Sequence, residues 1–486
     1  MRLSKSRLMS MFQCDKRLWL EVHKKELQEI TPAMQSAFDV GNVIGDVAIR
    51  HYGDGQGHYI EYKPDLGEAV EETRELMRAG DGAPIFEATF EHEGVLVRVD
   101  ALLGDGDGYH LIEVKSGASV KDQYVADCAI QAWVFCGNDY DLQRVSLTHV
   151  NYDFVYQGDG QYRGLLTEND VSEQVAATVS SVAGWVDQAQ DILSQSEPDI
   201  TIGTHCGKPY QCSFFGYCSK TNGKYPVAGL RGSRAKLGQF IAEGYQDLCE
   251  VPEDRLARGQ KRIQEVTRTG EPELKPGARE FAEGLAYPRY YLDFETIGFT
   301  VPIWAGCTPR DQAPFQFSCH VESAPGQIMH VEFLDLSGKN PERACAEALI
   351  ASLGTDGPIL QYTTYEASVL RSLGKQFPDL REPLNALIER LVDLHPVTKE
   401  NYYHPDMLGS WSIKAVIPTV APDLDYKALD EVSEGLGAQK AYVEAIDPKT
   451  TLERKEQLRK RLLEYCKYDS LSMVRLVEYF ATAATS

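Results

Sequence analysis

The chain has 486 residues, 43% apolar, 25% charged and 10% aromatic, which is room for two or three domains and at least one large core. Its formal net charge of −23 argues against a protein that coats nucleic acid by charge alone. No run approaches the ~20 apolar residues of a membrane span. The charges in MRLSKSRLMSMFQCDKRLWL leave no signal-peptide core, and eleven cysteines, most scattered singly, do not make a disulfide framework in a chain this long. The expected compartment is the cytoplasm, with no membrane partner.

Residues 1–26 read as one helix beginning near Ser4, with Leu8, Met11, Phe12, Leu18 and Trp19 on its inner side. A second helix covers 66–79. Strands follow at IFEATFEHEG and VLVRVDALL, then a GDGDG turn and the strand HLIEVKSG. In that last strand, period two puts Leu111, Glu113 and Lys115 on one face and Ile112 and Val114 on the other. Asp100 ends VLVRVD, and a hairpin would bring it to Glu113. Two such carboxylates can hold a hard divalent ion, and the neighbouring lysine can steady a water or a developing charge. The plainer alternative is a surface hairpin with an ordinary Glu–Lys pair.

Helical patterns continue near 121–137, which carries Gln131, and near 171–194. The next stretch, HCGKPYQCSFFGYC, spaces Cys206, Cys212 and Cys218 as C-x5-C-x5-C. In a reducing compartment such a group points to a metal. Tetrahedral zinc is one candidate, although the C-x2-C knuckle common in zinc ribbons is missing. From Gly203 to Ala242 there is no acidic residue, while Lys208, Lys220, Lys224, Arg231, Arg234 and Lys236 alternate with Tyr210, Phe214, Phe215, Tyr217 and Tyr225. That mixture suits phosphate contact and base stacking, or a solvated loop. Residues 223–287 read as a connector of short helices.

From PRYYLDFETIGF onward, strands and helices alternate as in a mixed α/β sheet, ending in a long helix at about 451–482. Tyr291, Asp293 and Glu295 share one strand face. On the final helix Leu458, Leu462, Tyr465, Asp469 and Met473 step by three or four. Asp469 therefore lies on an apolar stripe, where an unpartnered carboxylate costs several kcal/mol and a metal ion is a suitable partner. Glu366 opens a helix after the short strand of PILQYTTYEASVL, a position that the helix dipole alone could also explain. Asp393 reads as structural and Lys414 as solvent-exposed.

Asp100, Glu113-Val114-Lys115 and the helix QAWVF starting at Gln131 together resemble the PD-(D/E)xK nucleases, in particular the RecB-like and Cas-four types. The iron–sulfur members carry one cysteine near the N-terminus and three after the core. The resemblance thus implies that Cys14 joins Cys206, Cys212 and Cys218 in holding a [4Fe–4S] cluster. It also implies a further histidine ligand from an early helix, where this chain has Gly45; Asp46, His51 and Glu87 are the available substitutes. Asp293-x-Glu295, Glu366 and Tyr465-x-x-x-Asp469 resemble the DEDD 3′–5′ exonucleases on an RNase H-like fold, which implies two Mg²⁺ or Mn²⁺ ions with Tyr465 orienting the nucleophile. The second motif departs from the family, with Glu366 for Asp and Thr363 for Asn. The chain as a whole is similar to a bacterial group joining these two domains. The expected organisation is a RecB-like domain over 1–222, a connector over 223–287 and a DEDD domain over 288–486. The expected function is a metal-dependent nuclease acting on DNA with single strands or free ends. The alternatives are an RNA 3′–5′ exonuclease and a nucleic-acid-binding adaptor with decayed centres.

Overall fold

A computed structural model describes residues 2–424 and 435–484. The chain divides into two compact units, one of Met1–Ser219 with Phe299–Asp311 and the other of Lys220–Gly298 with Gln312–Ser486. Both are mixed α/β.

The first unit is built on a seven-stranded sheet. Its strands are β1 (Leu3–Ser4), β2 (His58–Tyr59), β3 (Ile85–His92), β4 (Val95–Asp105), β5 (Gly108–Lys115), β6 (Leu142–Val150) and β7 (Leu166–Asp170). The order is β2-β3-β4-β5-β6-β7, with β1 on β4. Strands β3 to β5 form an antiparallel meander and β6 lies parallel to β5. Residue alternation decides the two faces of β5. Leu111 joins the large core with Ile130, Val134 and Phe135 of the helix Asp122–Cys136, and Ile112 packs with Phe86 and Ala101 on the other side, beside Ile49 and Tyr52 of the helix Pro32–Gly53. The β4–β5 pairing ends at Ala101–Ile112. Further along β4, the edge is taken by β1, parallel, at Val95 and Leu96. The acidic residues sit at this change of partner.

The N-terminal helix differs from the single helix expected. It starts at Lys5 with Ser4 as N-cap but breaks at Cys14, whose φ of −171° and ψ of 126° are extended, and resumes as Asp15–His23. Leu8, Met11 and Leu18 are buried, whereas Phe12 is 44% exposed and meets Trp185 edge to face. The expected helix at 171–194 is likewise two, Ser172–Val179 and Val182–Ser194.

The second unit carries β8 (Glu273–Leu274), β9 (Arg289–Ile297), β10 (Ala313–Ala324), β11 (Gln327–Leu334), β12 (Ile359–Gln361), β13 (Leu391–Asp393) and β14 (Tyr402–Tyr403). Its main sheet runs β11-β10-β9-β12-β13, antiparallel from β11 to β9 and parallel from β9 to β13. The helix Leu452–Phe480, capped by the Thr451 side chain, packs against β9 and β10. Residues 223–287 form the expected short helical pieces, but they belong to this unit rather than standing alone, and β8 pairs with β14.

Leu292 lies on β9 immediately before Asp293, fully buried in the core with Leu349, Ile359 and Leu370. Leu292→Ala should lower unfolding free energy by about 2–5 kcal/mol. Chemical denaturation would show this as a lower midpoint at nearly unchanged slope.

Candidate functional site

In the second unit, one ligand oxygen each from Asp293, Glu295 and Asp469 falls within 4.8 Å of the others. Period two on β9 supplies the first two, and the Leu452–Phe480 helix supplies the third. That helix is held in register by polar contacts buried beneath it. Gln316 on β10 donates to the Leu462 carbonyl at 2.8 Å, and Ser470 meets Ser318 at 2.7 Å and His320 at 2.9 Å. The sequence reading missed these rungs; polar residues within the apolar run of β10 were their signal. Burial pushes Asp293 and Glu295 well above the usual carboxyl range. Asp469, Glu295 and Glu366 push Asp293 up further, and Asp469 does the same to Glu295.

Glu366 lies in the first turn of the helix Tyr365–Gln376. It is 3% exposed, and its Oε2 has no hydrogen-bond partner. Burial, then the charges of Asp393 and Asp469, push its pKa up to about 8. The preceding Thr363 has a φ of +78°, a left-handed conformation that a β-branched residue rarely adopts. Its N–H donates at 2.9 Å to Asp393, which also caps His395. Lys414 is exposed along much of its length, yet its ammonium donates to Tyr465 Oη at 2.9 Å, and its charge draws Glu295 downward. Thus three carboxyls meet here, and Lys414 acts on Glu295 among them. Their donor chemistry, hard oxygens with an orphaned buried Oε2 nearby, fits divalent cations.

The first unit gathers Asp100, Glu113, Lys115 and Gln131, as expected, with two residues that were not. Beyond Ile112, Asp100 replaces a backbone partner and accepts the Val114 N–H at 2.6 Å. Glu113 accepts from Lys5 at 3.0 and 3.1 Å, from Gln131 at 2.6 Å and from Lys115. Asp127, one turn before Gln131, pairs with Lys5 at 3.0 Å and Lys115 at 2.6 Å. Burial and the Glu113 charge push Asp100 up to about 8. Burial also pushes Asp127 up, but the two lysines outweigh it and hold that carboxyl below its usual range. An Asp on the buried face of an apolar helix was the signal for Asp127; Lys5 had none. These oxygens are already supplied with ammonium and amide donors, so the set does not fit a divalent ion as it stands.

Of the substitutes considered for a histidine at Gly45, Asp46 and His51 are exposed. Glu87 instead feels the charges of Arg98, Glu113 and Lys5, and it lines a cleft of about 910 Å³ with Asp100, Lys5, Arg2, Arg7, Arg17, Lys25 and Arg98.

Cys14, Cys206, Cys212 and Cys218 line one pocket with Leu20, Ile202 and Phe214. All are free thiols. Burial pushes Cys218 up to about 12, with Cys212, Cys206 and Cys14 adding to the shift and Lys16 opposing it. Gln13, next to Cys14, donates at 2.7 Å to the carbonyls of both His205 and Tyr210. Among the described residues the carboxylate trio meets within 4.8 Å and the four thiols do not. Thiolates around one zinc at 2.3 Å would lie about 3.8 Å apart.

Part of the basic tract is committed to contacts within the protein, while its Tyr210 is 54% exposed. Lys208 falls in the first unit, and Lys220, Lys224, Arg231, Arg234 and Lys236 in the second. Lys236 donates to the Arg255 carbonyl at 2.5 Å and Arg231 to the Leu408 carbonyl at 3.1 Å. Phe214 is fully buried, and Tyr217 is spent on Glu197. Phe214 and Phe215 line the cysteine pocket.

Residues 290–412 match a family model described as "Domain of unknown function (DUF2779)". No curated protein matches the chain. A solved structure titled "Crystal structure of SSO0001" is similar over 41% of this chain and 79% of that one, at 16% identity and a TM-score of 0.21. No helix among the described residues is long and apolar enough to cross a membrane.

A carboxyl whose pKa rises on folding stabilises the fold below its unfolded pKa and loses that contribution as pH climbs through the folded value. For Glu366 the window runs from its ordinary 4.5 to about 8. In chelator, the melting temperature should therefore fall as pH rises across that window, and Glu366→Gln should flatten the fall. Mn²⁺ added at the alkaline end should restore stability. Melts independent of both pH and Mn²⁺ would contradict the assignment.

Proposed function

We propose that the protein is a metal-dependent nuclease whose hydrolytic centre is Asp293, Glu295, Glu366, Tyr465 and Asp469 on an RNase H-like fold of the DEDD type. The observation that carries this reading is the meeting of Asp293, Glu295 and Asp469 within 4.8 Å, with Glu366 buried and unsatisfied nearby. A mixed sheet with the acidic strand β9 at its centre supports the fold assignment. Asp293, Glu295 and Asp469 would hold Mg²⁺ or Mn²⁺. Such ions, when bound, supply an activated water and charge stabilisation at a phosphodiester. Tyr465 presents a hydroxyl whose position is fixed by Lys414, and that ammonium also offers a contact for a phosphate oxygen.

The first unit is proposed as a RecB-like PD-(D/E)xK module in which Asp100, Glu113, Lys115 and Gln131 share one hydrogen-bonded network. Its basic cleft would guide a DNA strand. Cys14, Cys206, Cys212 and Cys218 are proposed to hold a [4Fe–4S] cluster, supported by their shared pocket. Burial raises the pKa of Cys14, Cys212 and Cys218, and a bound metal would compensate the thiolate charge they need as ligands. A cytoplasmic location suits eleven cysteines that are all free thiols.

End-labelled single-stranded DNA and RNA incubated with Mn²⁺ test the reading. Asp293→Ala should lower cleavage at least about a hundredfold, the loss of several kcal/mol of ion-derived stabilisation. Preference for the RNA arm would move the substrate class, and cleavage unaffected by Asp293→Ala would remove the assignment of the centre. Protein purified without oxygen should show broad visible absorbance, lost in Cys212→Ser. A colourless protein containing one zinc would exclude the cluster.

A further inference from the structure

We propose that Lys5 is the built-in counter-ion of the first unit's acidic centre, seated between Glu113 and Asp127 where a divalent cation would otherwise be held. Its ammonium lies 3.0 Å from Glu113 Oε1, 3.1 Å from Oε2 and 3.0 Å from Asp127 Oδ1. Lys115 takes Glu113 Oε1 and, at 2.6 Å, Asp127 Oδ2; Gln131 donates to Glu113 Oε2 at 2.6 Å. Every oxygen of both carboxylates therefore has an N–H donor, and two ammonium groups balance two carboxylates. In the second unit three carboxylates converge, and a buried Glu366 oxygen has no hydrogen-bond partner.

The seat is built by the backbone. Strand β1 pairs with β4 at Val95 and Leu96, so the residue after Ser4 emerges beside Asp100 at the point where β4 has left β5. Ser4 caps the helix that Lys5 begins, and Gln13 ties that helix's other end to the His205 and Tyr210 carbonyls. Lys5 is thus delivered by an element anchored at both ends, while its side chain keeps 19% exposure to the cleft. A cation entering the centre must displace this ammonium or bind against its repulsion. Lys5 acts through the carboxylates it holds, which makes it a positioning residue that sets the ion affinity of the centre.

Mn²⁺ titration of the full chain, followed by the paramagnetic resonance of free ion, tests this without reference to cleavage. Asp293→Asn with Asp469→Asn in all samples silences the second centre. In that background Lys5→Gln should gain a Mn²⁺ site at least tenfold tighter than the parent shows, and adding Glu113→Gln should abolish it. Lys5→Arg, which restores the charge, should behave as the parent. Failure of Lys5→Gln to tighten Mn²⁺ binding would overturn the proposal. If Lys5→Gln does not fold, the background protein decides: Glu113→Gln alone should leave its Mn²⁺ binding unchanged, and a weakening would show that Glu113 ligates the ion beside Lys5 and overturn the proposal. Nuclease activity enters none of these outcomes, so the proposal and the nuclease reading stand or fall separately.

Discussion

A carboxylate withdrawn from water must meet a cation or keep its proton, because burial penalises the charged form by far more than one neutral hydrogen bond returns. Both units are organised around this constraint, and they meet it differently. In the first, Lys5 and Lys115 neutralise Glu113 and Asp127 internally, and Asp100 is pushed up to about 8. In the second, Asp293, Glu295 and Glu366 are all pushed upward, with Lys414 opposing the shift at Glu295. The first arrangement supplies an N–H donor to every oxygen of Glu113 and Asp127, whereas in the second a buried Glu366 oxygen has no hydrogen-bond partner. In the first unit the fold delivers two ammonium groups to two carboxylates.

That delivery depends on features with little side-chain chemistry of their own. The exchange of β5 for β1 along the edge of β4 opens the space in which Asp100 accepts a backbone N–H and Lys5 enters. In the second unit the contacts of Gln316, Ser318 and His320 with the long helix set its height on the sheet, and hence the position of Asp469. A shift of one residue on that helix would rotate Asp469 by ~100° and carry it off the trio. Buried polar contacts of this kind contribute modestly to stability but strongly to register.

The cysteine pocket closes a long loop. The Gln13 amide reaches a carbonyl 192 positions away, and Cys14 beside it joins thiols from the same distant stretch. A metal group bound there would make the ordering of the N-terminal helix dependent on the metal. The break at Cys14 belongs to the same constraint, since a continuous helix would carry the thiol past the pocket. The extended φ and ψ turn it inward.

Much of this was legible in the sequence, because it depends on local periodicity. The helix at Leu66–Ala79, the hairpin of β4 and β5, the two faces of β5 and β9, and the long final helix follow from periods of two and 3.6, which neighbouring residues set by themselves. The acidic positions on β9 and the long helix were legible for the same reason, since a charged residue on an apolar stripe is visible before folding. Three matters were decided only in three dimensions. Lys5 is an ordinary basic residue until β1 pairs with β4. Within the basic tract, Phe214 and Phe215 line the cysteine pocket, and Arg231 and Lys236 go to backbone carbonyls. The order of the strands, and with it which carboxylates meet, comes from pairings between distant segments. Local pattern sets which way a side chain faces along its own element; which charges share a pocket, and whether they balance, is a property of the assembled fold.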